Sequence, residues 1–238
     1  MKRTGLFYLV LLLVVAMLSL VGCSGGNENS SKAASQAASN GAGQGAVDES
    51  VSGLFAKGKQ VEGMSYDYIL TFNGSSVNSK VWVEGDKVKT DSIVEGQNII
   101  SIVDGDTFYT YFPAENRAMK MTVAAGQKNG EKTETPIDFI EDADNRPDQY
   151  KIVETTMYDG VECKVVVVTD AYGKEQSRMW VRTDYGIPVR IESVDPNGGK
   201  TIMEFKNLKI GKLPADTFQL PAGVEIVDAS NLLNNLPR

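Results

Sequence analysis

The sequence predicts a mainly β fold: a strongly curved antiparallel sheet, or incomplete β-barrel, of about eleven strands with a few short helices covering its opening. Three observations carry this. Apolar and polar residues alternate with period two from Met64 onward. Glycine-containing turn pairs recur at short, regular spacing. Only two short segments carry helical signals. A single sheet of that many strands must curl, split or close, because strand twist accumulates across it.

In chain order, a first helix is expected over residues 49–60, with Val51, Leu54 and Phe55 as its apolar stripe and Gly53 and Gly58 weakening it. In the first strand, Met64, Tyr66, Tyr68, Leu70 and Phe72 share one face, and Asn73-Gly74 turns the chain. Strands follow at 77–84, 87–93, 98–103, 107–112 and 117–123, with turns at Gly85-Asp86, Glu95-Gly96 and Asp104-Gly105-Asp106. Residues 124–135 read as loop. Thr135-Pro136-Ile137-Asp138 then has the form of a helix start, with Thr at the N-cap, Pro at the first helical position and an acid in the first turn. Five more strands are expected at 150–157, 161–169, 176–182, 189–194 and 200–210. Ser79-Lys80-Val81-Trp82-Val83-Glu84-Gly85-Asp86 is echoed by Ser177-Arg178-Met179-Trp180-Val181-Arg182-Thr183-Asp184, either as a trace of two related halves or as shared turn chemistry.

The chain divides into residues 1–22, 23–48 and 49–238. Lys2 and Arg3 precede an apolar run that ends in Leu20-Val21-Gly22-Cys23. A basic start, an apolar stretch shorter than a bilayer span and small residues at the cut describe a secretory signal. The cysteine at the cut gives it the form of a lipobox, so Cys23 is the expected site of a diacylglyceryl anchor on an extracytoplasmic membrane face. That face is the outer one of the plasma membrane, or an outer membrane if the cell has one. Two acyl chains make such an anchor stable. Residues 24–48 are rich in Ser, Gly, Ala, Asn and Gln, with Val47 the one large aliphatic. They cannot bury enough apolar area to fold, and a coil of that length spans roughly 25–30 Å. Residues 49–238 then form a single domain.

Composition excludes several functions. Loss of Lys2 and Arg3 with the signal takes the formal charge from −7 to −9, which gives no electrostatic basis for nucleic-acid binding. The absence of histidine removes Ser-His-Asp and Cys-His chemistry and almost every zinc site. With Cys23 lipidated, Cys163 has no partner for a disulfide, and its place between Val161 and Val165 reads as a buried strand position. Acidic groups such as Asp104 with Asp106, or Glu141, Asp142, Asp144 and Asp148, fall at turns or a helix end and lack the EF-hand order. Catalysis by paired carboxylates and a calcium site are therefore minor alternatives, and no cofactor is expected.

Several segments, weak singly but ordered together, resemble the LolA/LolB-like lipoprotein-sorting family and its LppX-like and RseB-like relatives, over roughly residues 50–228. They are Val81-Trp82-Val83-Glu84-Gly85-Asp86-Lys87, Asp106-Thr107-Phe108-Tyr109, Met179-Trp180-Val181, Gly186-Ile187-Pro188-Val189-Arg190 and Phe218-Gln219-Leu220-Pro221-Ala222-Gly223-Val224. The resemblance implies a curved, incomplete barrel with a helical lid and an apolar cavity that receives acyl chains. The pattern departs from the family in two respects. An anchored chain cannot shuttle as the family's soluble carrier does. The early strands offer Lys80, Lys87 and Lys89 where that carrier uses a strand arginine. Ser24 is not the aspartate linked to inner-membrane retention in enteric bacteria.

The leading functional expectation is a non-enzymatic binding protein for an amphiphile, either a lipid or a lipoprotein acyl chain. Its candidate cavity lining is Tyr66, Tyr68, Leu70, Phe72, Val81, Val83, Ile100, Ile102, Phe108, Met119 and Met121. The same residues serve equally as a packed core, and the alternative is an envelope sensor with a filled interior and a protein partner. An open, lipid-sized cavity favours the first; a packed interior with exposed apolar surface favours the second.

Overall fold

The computed structural model describes residues 50–122, 134–195 and 198–230. All of them belong to the second of two compact units, residues 47–238; the first unit, residues 1–46, lies outside the described residues, and with it the signal, Cys23 and most of the tether. Val123, most of the 124–135 loop and residues 231–238 also lie outside them.

Helix α1 (Val51–Gly58) is capped by Ser50, whose Oγ accepts from Gly53 N at 3.0 Å. Six strands follow as a meander: β1 (Gly63–Phe72), β2 (Ser75–Glu84), β3 (Lys87–Val94), β4 (Gln97–Asp104), β5 (Thr107–Phe112) and β6 (Arg117–Thr122). Helix α2 (Pro136–Asn145) begins as its sequence implies: Thr135 N and Oγ1 each donate to Asp138 Oδ2 at 2.7 Å, which satisfies the N-terminus. A second meander comprises β7 (Tyr150–Tyr158), β8 (Val161–Thr169), β9 (Glu175–Arg182), β10 (Pro188–Val194) and β11 (Lys200–Ile210). A twelfth strand, β12 (Glu225–Asp228), was not anticipated. It is four residues long, exposed at every position and lacks alternation, so it carries no strand signal of its own; it forms by parallel pairing along the free edge of β6.

The strands make one sheet in the order β12-β6-β5-β4-β3-β2-β1-β11-β10-β9-β8-β7. Each meander supplies antiparallel neighbours, and the two are joined where β11 pairs with β1. The sheet is not closed; β12 and β7 are its edges. Its curvature is shown by side chains. Tyr158 at the end of β7 donates to Glu204 and accepts from Lys206 Nζ at 2.6 Å, both on β11. Three strands separate β7 from β11, which in a flat sheet sets them about 19 Å apart. The β7–β11 half therefore curls until its first and last strands touch through side chains. A register shift between Ile152 and Glu154 in β7 and another between Pro188 and Arg190 in β10 supply local bends.

The core lies between one sheet face and the helices. Met64, Tyr66, Val81, Val83, Val88, Met179, Val181, Ile191, Met203 and Phe205 come from the sheet, and Leu54, Phe55, Ile140 and Ala143 from α1 and α2. Gly58 closes α1 rather than weakening it. A Cβ there would lie 2.5 Å from Ile140 Cδ1 and 2.7 Å from the Gly186 carbonyl, so its missing side chain is what lets the two helices and the β9–β10 turn meet.

Candidate functional site

The eleven candidate lining residues do not share one surface. Directly paired residues in a ladder project to the same face, and one lateral row runs Met64, Val83, Val88, Val103, Phe108 and Met121 on the helix side. Ile102 instead pairs with Lys89 and Tyr109, in the row of Trp82. Ile100 and Ile102 are thus on the opposite face. The expected strand start at Asn98 was compatible with either parity for its apolar run, and only the register resolves it. Ile102 is 1% exposed on that other face.

The remaining nine fall into three settings. Tyr66, Val81 and Val83 are buried members of the core, with Tyr68 and Leu70 packed against it. Phe72 is at the hairpin tip and exposed. Phe108, Met119 and Met121 are half-buried on β5 and β6. Phe108 sits directly opposite Met121 and beside Val103, which packs on the core. These three extend the apolar surface beyond the α1 and α2 contacts with β7 and β10, as a ledge toward the β6 edge.

A second row, not anticipated as a site, runs beside this ledge. Val81, Thr90, Ser101, Thr110 and Met119 are successive lateral partners across β2 to β6, and the three hydroxyl residues are half-buried. In the next row Ser92 Oγ donates to Ser79 Oγ at 2.7 Å. A partial signal for it was present: Ser101 and Thr110 each interrupt the apolar parity of their strand, between Ile99 and Val103 and between Phe108 and Phe112.

The start of α2 brings titratable groups onto this face. Burial, and the negative charge of Glu134, push the Tyr68 phenol up to about 12. Burial, with Tyr68 and Asp138 nearby, raises Tyr66 further. Glu134 is exposed as a residue, and partial desolvation of its carboxyl, with Asp138 and Asp142 nearby, shifts it upward. Two acids of α2 are tied down. Asp142 accepts from Arg146 Nε at 3.0 Å and from Tyr150, and Asp144 pairs with Lys59 at 2.5 Å. Asp104 pairs with Lys87 at 3.2 Å at the surface. Among the described residues no three acids or cysteines are placed to hold a metal ion. Cys163 is fully buried, and burial raises its thiol to about 11.

Beneath the helices the described side chains pack as a core. A cavity of about 90 Å³ lies between α1, the start of β1 and Ile137, and one of about 240 Å³ lies between the β7–β8 turn and β11. Both are below the roughly 300–1,000 Å³ of ordinary ligand pockets. The larger is walled by Tyr158, Asp159, Val161, Val189 and Lys206 on the curled half of the sheet.

The curled half also carries a charge network. Burial works against ionisation of Glu204, but hydrogen bonds from Tyr158 and Lys206 and the charges of Lys206 and Arg190 hold its carboxyl below the usual range. Glu192 is lowered in the same manner by Lys200 and Arg190. A carboxyl whose folded pKa is depressed contributes stability above its unfolded value, about 4.3, and loses it as pH falls through the folded value. The domain is therefore expected to lose thermal stability on acidification below about pH 4.5. In Glu204→Gln, stability at neutral pH drops and the acid limb flattens; equal slopes for the two proteins in thermal melts from pH 7 to 3 would remove Glu204 as a cause.

The two echoed segments occupy β2 and β9, and both tryptophans point away from the helices. Lys80 and Lys89 lie 5.7 and 5.3 Å from the Trp82 ring, and Arg190 lies 5.5 Å from that of Trp180.

Fold and face together define a class: an open, curved sheet, antiparallel except at its β12–β6 pair, with short helices on one side. No protein-family model matches the chain. An uncharacterized protein of Methanocaldococcus jannaschii is 25% identical over 188 residues, covering 77% of this chain and 54% of that protein, so the chain spans about half the length of the curated relative it matches. Among solved structures, an uncharacterized conserved protein of Thermus thermophilus is similar with a TM-score of 0.49 and 7% identity, over 74% of this chain and 96% of that one. The MucA/MucB complex of Pseudomonas aeruginosa is similar with a TM-score of 0.46 and 18% identity, over 73% and 61%. A LolA superfamily protein of Nitrosomonas europaea gives 0.35 and 9%, over 71% and 97%.

Proposed function

We propose that this chain is an extracytoplasmic lipoprotein, anchored through a diacylglyceryl group on Cys23, that binds the apolar part of an amphiphile without catalysing a reaction on it. The observation that carries this is the ledge of Phe108, Met119 and Met121, half-buried, continuous with the core and flanked by hydroxyls. Tyr66, Val81 and Val83 pack beneath the helices, so the reading rests on the part of the same face that no described helix touches. Each methylene laid on that surface and removed from water contributes about 0.8 kcal/mol at most. Among the described residues no helix is long and apolar enough to cross a membrane.

The test is native mass spectrometry of the mature chain carrying Cys23→Ser, purified without detergent from a bacterial host. A co-purifying amphiphile is expected, and Phe108→Asp or Met121→Lys is expected to weaken its retention at least about tenfold, the loss of a few buried methylenes. Retention unchanged in both variants removes the ledge from the reading. Incorporation of a labelled fatty acid into the native chain, abolished by Cys23→Ala, tests the anchor.

A specific observation supports a second reading, an envelope protein partner. Both sheet edges expose apolar side chains: Val153 and Met157 are 47% and 63% exposed on β7, and Ile226 and Val227 are 52% and 43% exposed on β12. Unpaired strand edges of this kind accept an added strand. A ligand-free mass, with no uptake of added lipid, turns the assignment to this reading.

A further inference from the structure

The hairpins at one end of the sheet carry exposed apolar side chains. The chain reverses at this end between β1 and β2, β3 and β4, β8 and β9, and β10 and β11, where Phe72 pairs with Ser75, Val94 with Gln97, Thr169 with Glu175 and Val194 with Lys200. Phe72 also pairs with Thr201, Thr201 with Ser193 and Ser193 with Ser177, so three of the hairpin ends are level. The four hairpins occupy eight consecutive strands, β4-β3-β2-β1-β11-β10-β9-β8, and their tips follow one another along the rim about 10 Å apart. Each tip presents large apolar side chains: Phe72 and Val77 together, then Ile93 at 71% exposure, Val194 at 58% and Tyr172 at 97%. At the opposite end the one exposed aromatic, Tyr185, has Arg182 over its ring at 4.9 Å.

The two ends also differ in charge. The four turns of the opposite end hold Asp86, Asp104, Asp106, Asp159 and Asp184. Asp104, Asp159 and Asp184 are paired with Lys87, Lys206 and Arg182, while Asp86 and Asp106 form no ion pair among the described residues. At the apolar end the turn acids are Glu95, Asp170 and Asp195, and two of them are spent on their own turns. Asp170 Oδ1 accepts from Tyr172 N at 2.8 Å and from Lys174 N at 2.9 Å, and Asp195 Oδ1 accepts from Gly199 N at 3.0 Å. Side chains on separate tips, with polar turns between them, make no continuous groove for a folded partner; a fluid bilayer interface admits each tip singly. Aromatic and aliphatic groups with polar neighbours partition into the headgroup region, and binding grows with the apolar area buried there. We propose that this rim docks on a lipid bilayer, with Phe72, Val77, Ile93, Tyr172 and Val194 in the headgroup region and the aspartate turns facing away. The proposal goes beyond the amphiphile reading and shares with it only the Cys23 anchor: the anchor holds the domain near the bilayer, and the rim orients it. The ledge of Phe108 and Met121 lies toward the other end of its strands.

The test uses the mature chain with Cys23→Ser, which has no anchor, and co-sedimentation with vesicles of phosphatidylcholine, alone or mixed with phosphatidylglycerol. The chain is expected to partition onto phosphatidylcholine vesicles at millimolar lipid, and less onto the anionic mixture, because the domain is acidic. Ile93→Asp combined with Tyr172→Asp is expected to weaken that partition at least about tenfold, with the melting temperature unchanged. Met157→Asp is the control, since Met157 is 63% exposed on the β7 edge, away from the rim, and should leave partition unaltered. No sedimentation of the parent chain at millimolar lipid, or an equal loss in Met157→Asp, overturns the rim. Partition onto the anionic mixture alone assigns the contact to lysines elsewhere and also overturns it. A dimer in sedimentation velocity that Ile93→Asp abolishes, without vesicle binding, replaces the bilayer by a second copy of the chain. Each of these failures leaves the amphiphile reading intact, since that reading is tested by the ligand retained in Phe108→Asp.

Discussion

Gly186→Ala is expected to destabilise the domain by about 3–5 kcal/mol, far beyond an ordinary glycine replacement. Gly186 lies in the β9–β10 turn at φ +64, with its N–H donating to the Arg182 carbonyl at 2.8 Å. Positive φ alone costs an L-residue roughly 1–2 kcal/mol. The larger part is contact. A Cβ at Gly186 would overlap the Leu54 carbonyl oxygen and come within 3.0 Å of the Gly58 nitrogen. Both obstacles are backbone atoms of α1, so relief requires the helix to lift from the sheet and expose Leu54 and Phe55, which are 6% and 1% exposed. Gly74→Ala is the matched control, since Gly74 has φ +85 and nothing within 4 Å of the added atom. For a domain of this size the difference in cost corresponds to roughly 5–10 °C in Tm. Equal melting temperatures for the two variants would show that α1 does not pack against the β9–β10 turn.

Phe205→Ala is the second large effect, expected at about 3–5 kcal/mol. Phe205 is 2% exposed on β11 and supports both tyrosines, edge-on to Tyr66 and stacked on Tyr68. Removing the ring leaves a cavity at the joint where β11 pairs with β1, the seam between the two meanders. Little can collapse into it, because Tyr66 and Met203 are held by their own strands. Urea unfolding should show the loss as a lower midpoint, while Phe72→Ala, at a 43% exposed tip, should stay within about 0.5 kcal/mol of the parent. A Phe205→Ala midpoint close to that of Phe72→Ala would mean that the seam is not packed.

Much of the architecture was legible in the residues because strands with one buried face must alternate. The parity of Met64, Tyr66, Tyr68 and Leu70 was read correctly, and these residues do share the helix side. The cap chemistry of Thr135, Pro136 and Asp138 placed the start of α2. The candidate site was legible only in part. Ile100 and Ile102 fell on the wrong face because an apolar run of Ile99, Ile100, Ile102 and Val103 satisfies either parity, and a one-residue change of register moves every side chain across the sheet. The hydroxyls of Thr90, Ser101 and Thr110 read as ordinary polar positions in three separate strands; only lateral pairing makes them a row.

Local periodicity and turn chemistry in the sequence by themselves determined the strand-rich class, nearly all of the strands, both helices and the antiparallel order within each meander, since these depend on neighbours close in the chain. The tertiary structure alone decided that β11 returns to β1, that β12 extends the β6 edge in parallel, and that β7 curls until Tyr158 meets Glu204 and Lys206. Only the structure, likewise, shows which residues of the two meanders pack together beneath the helices. The reason is physical: alternation specifies that a residue faces inward, but which residue it meets there is set by register and sheet curvature, which are settled by packing across strands from about fifty to well over a hundred residues apart.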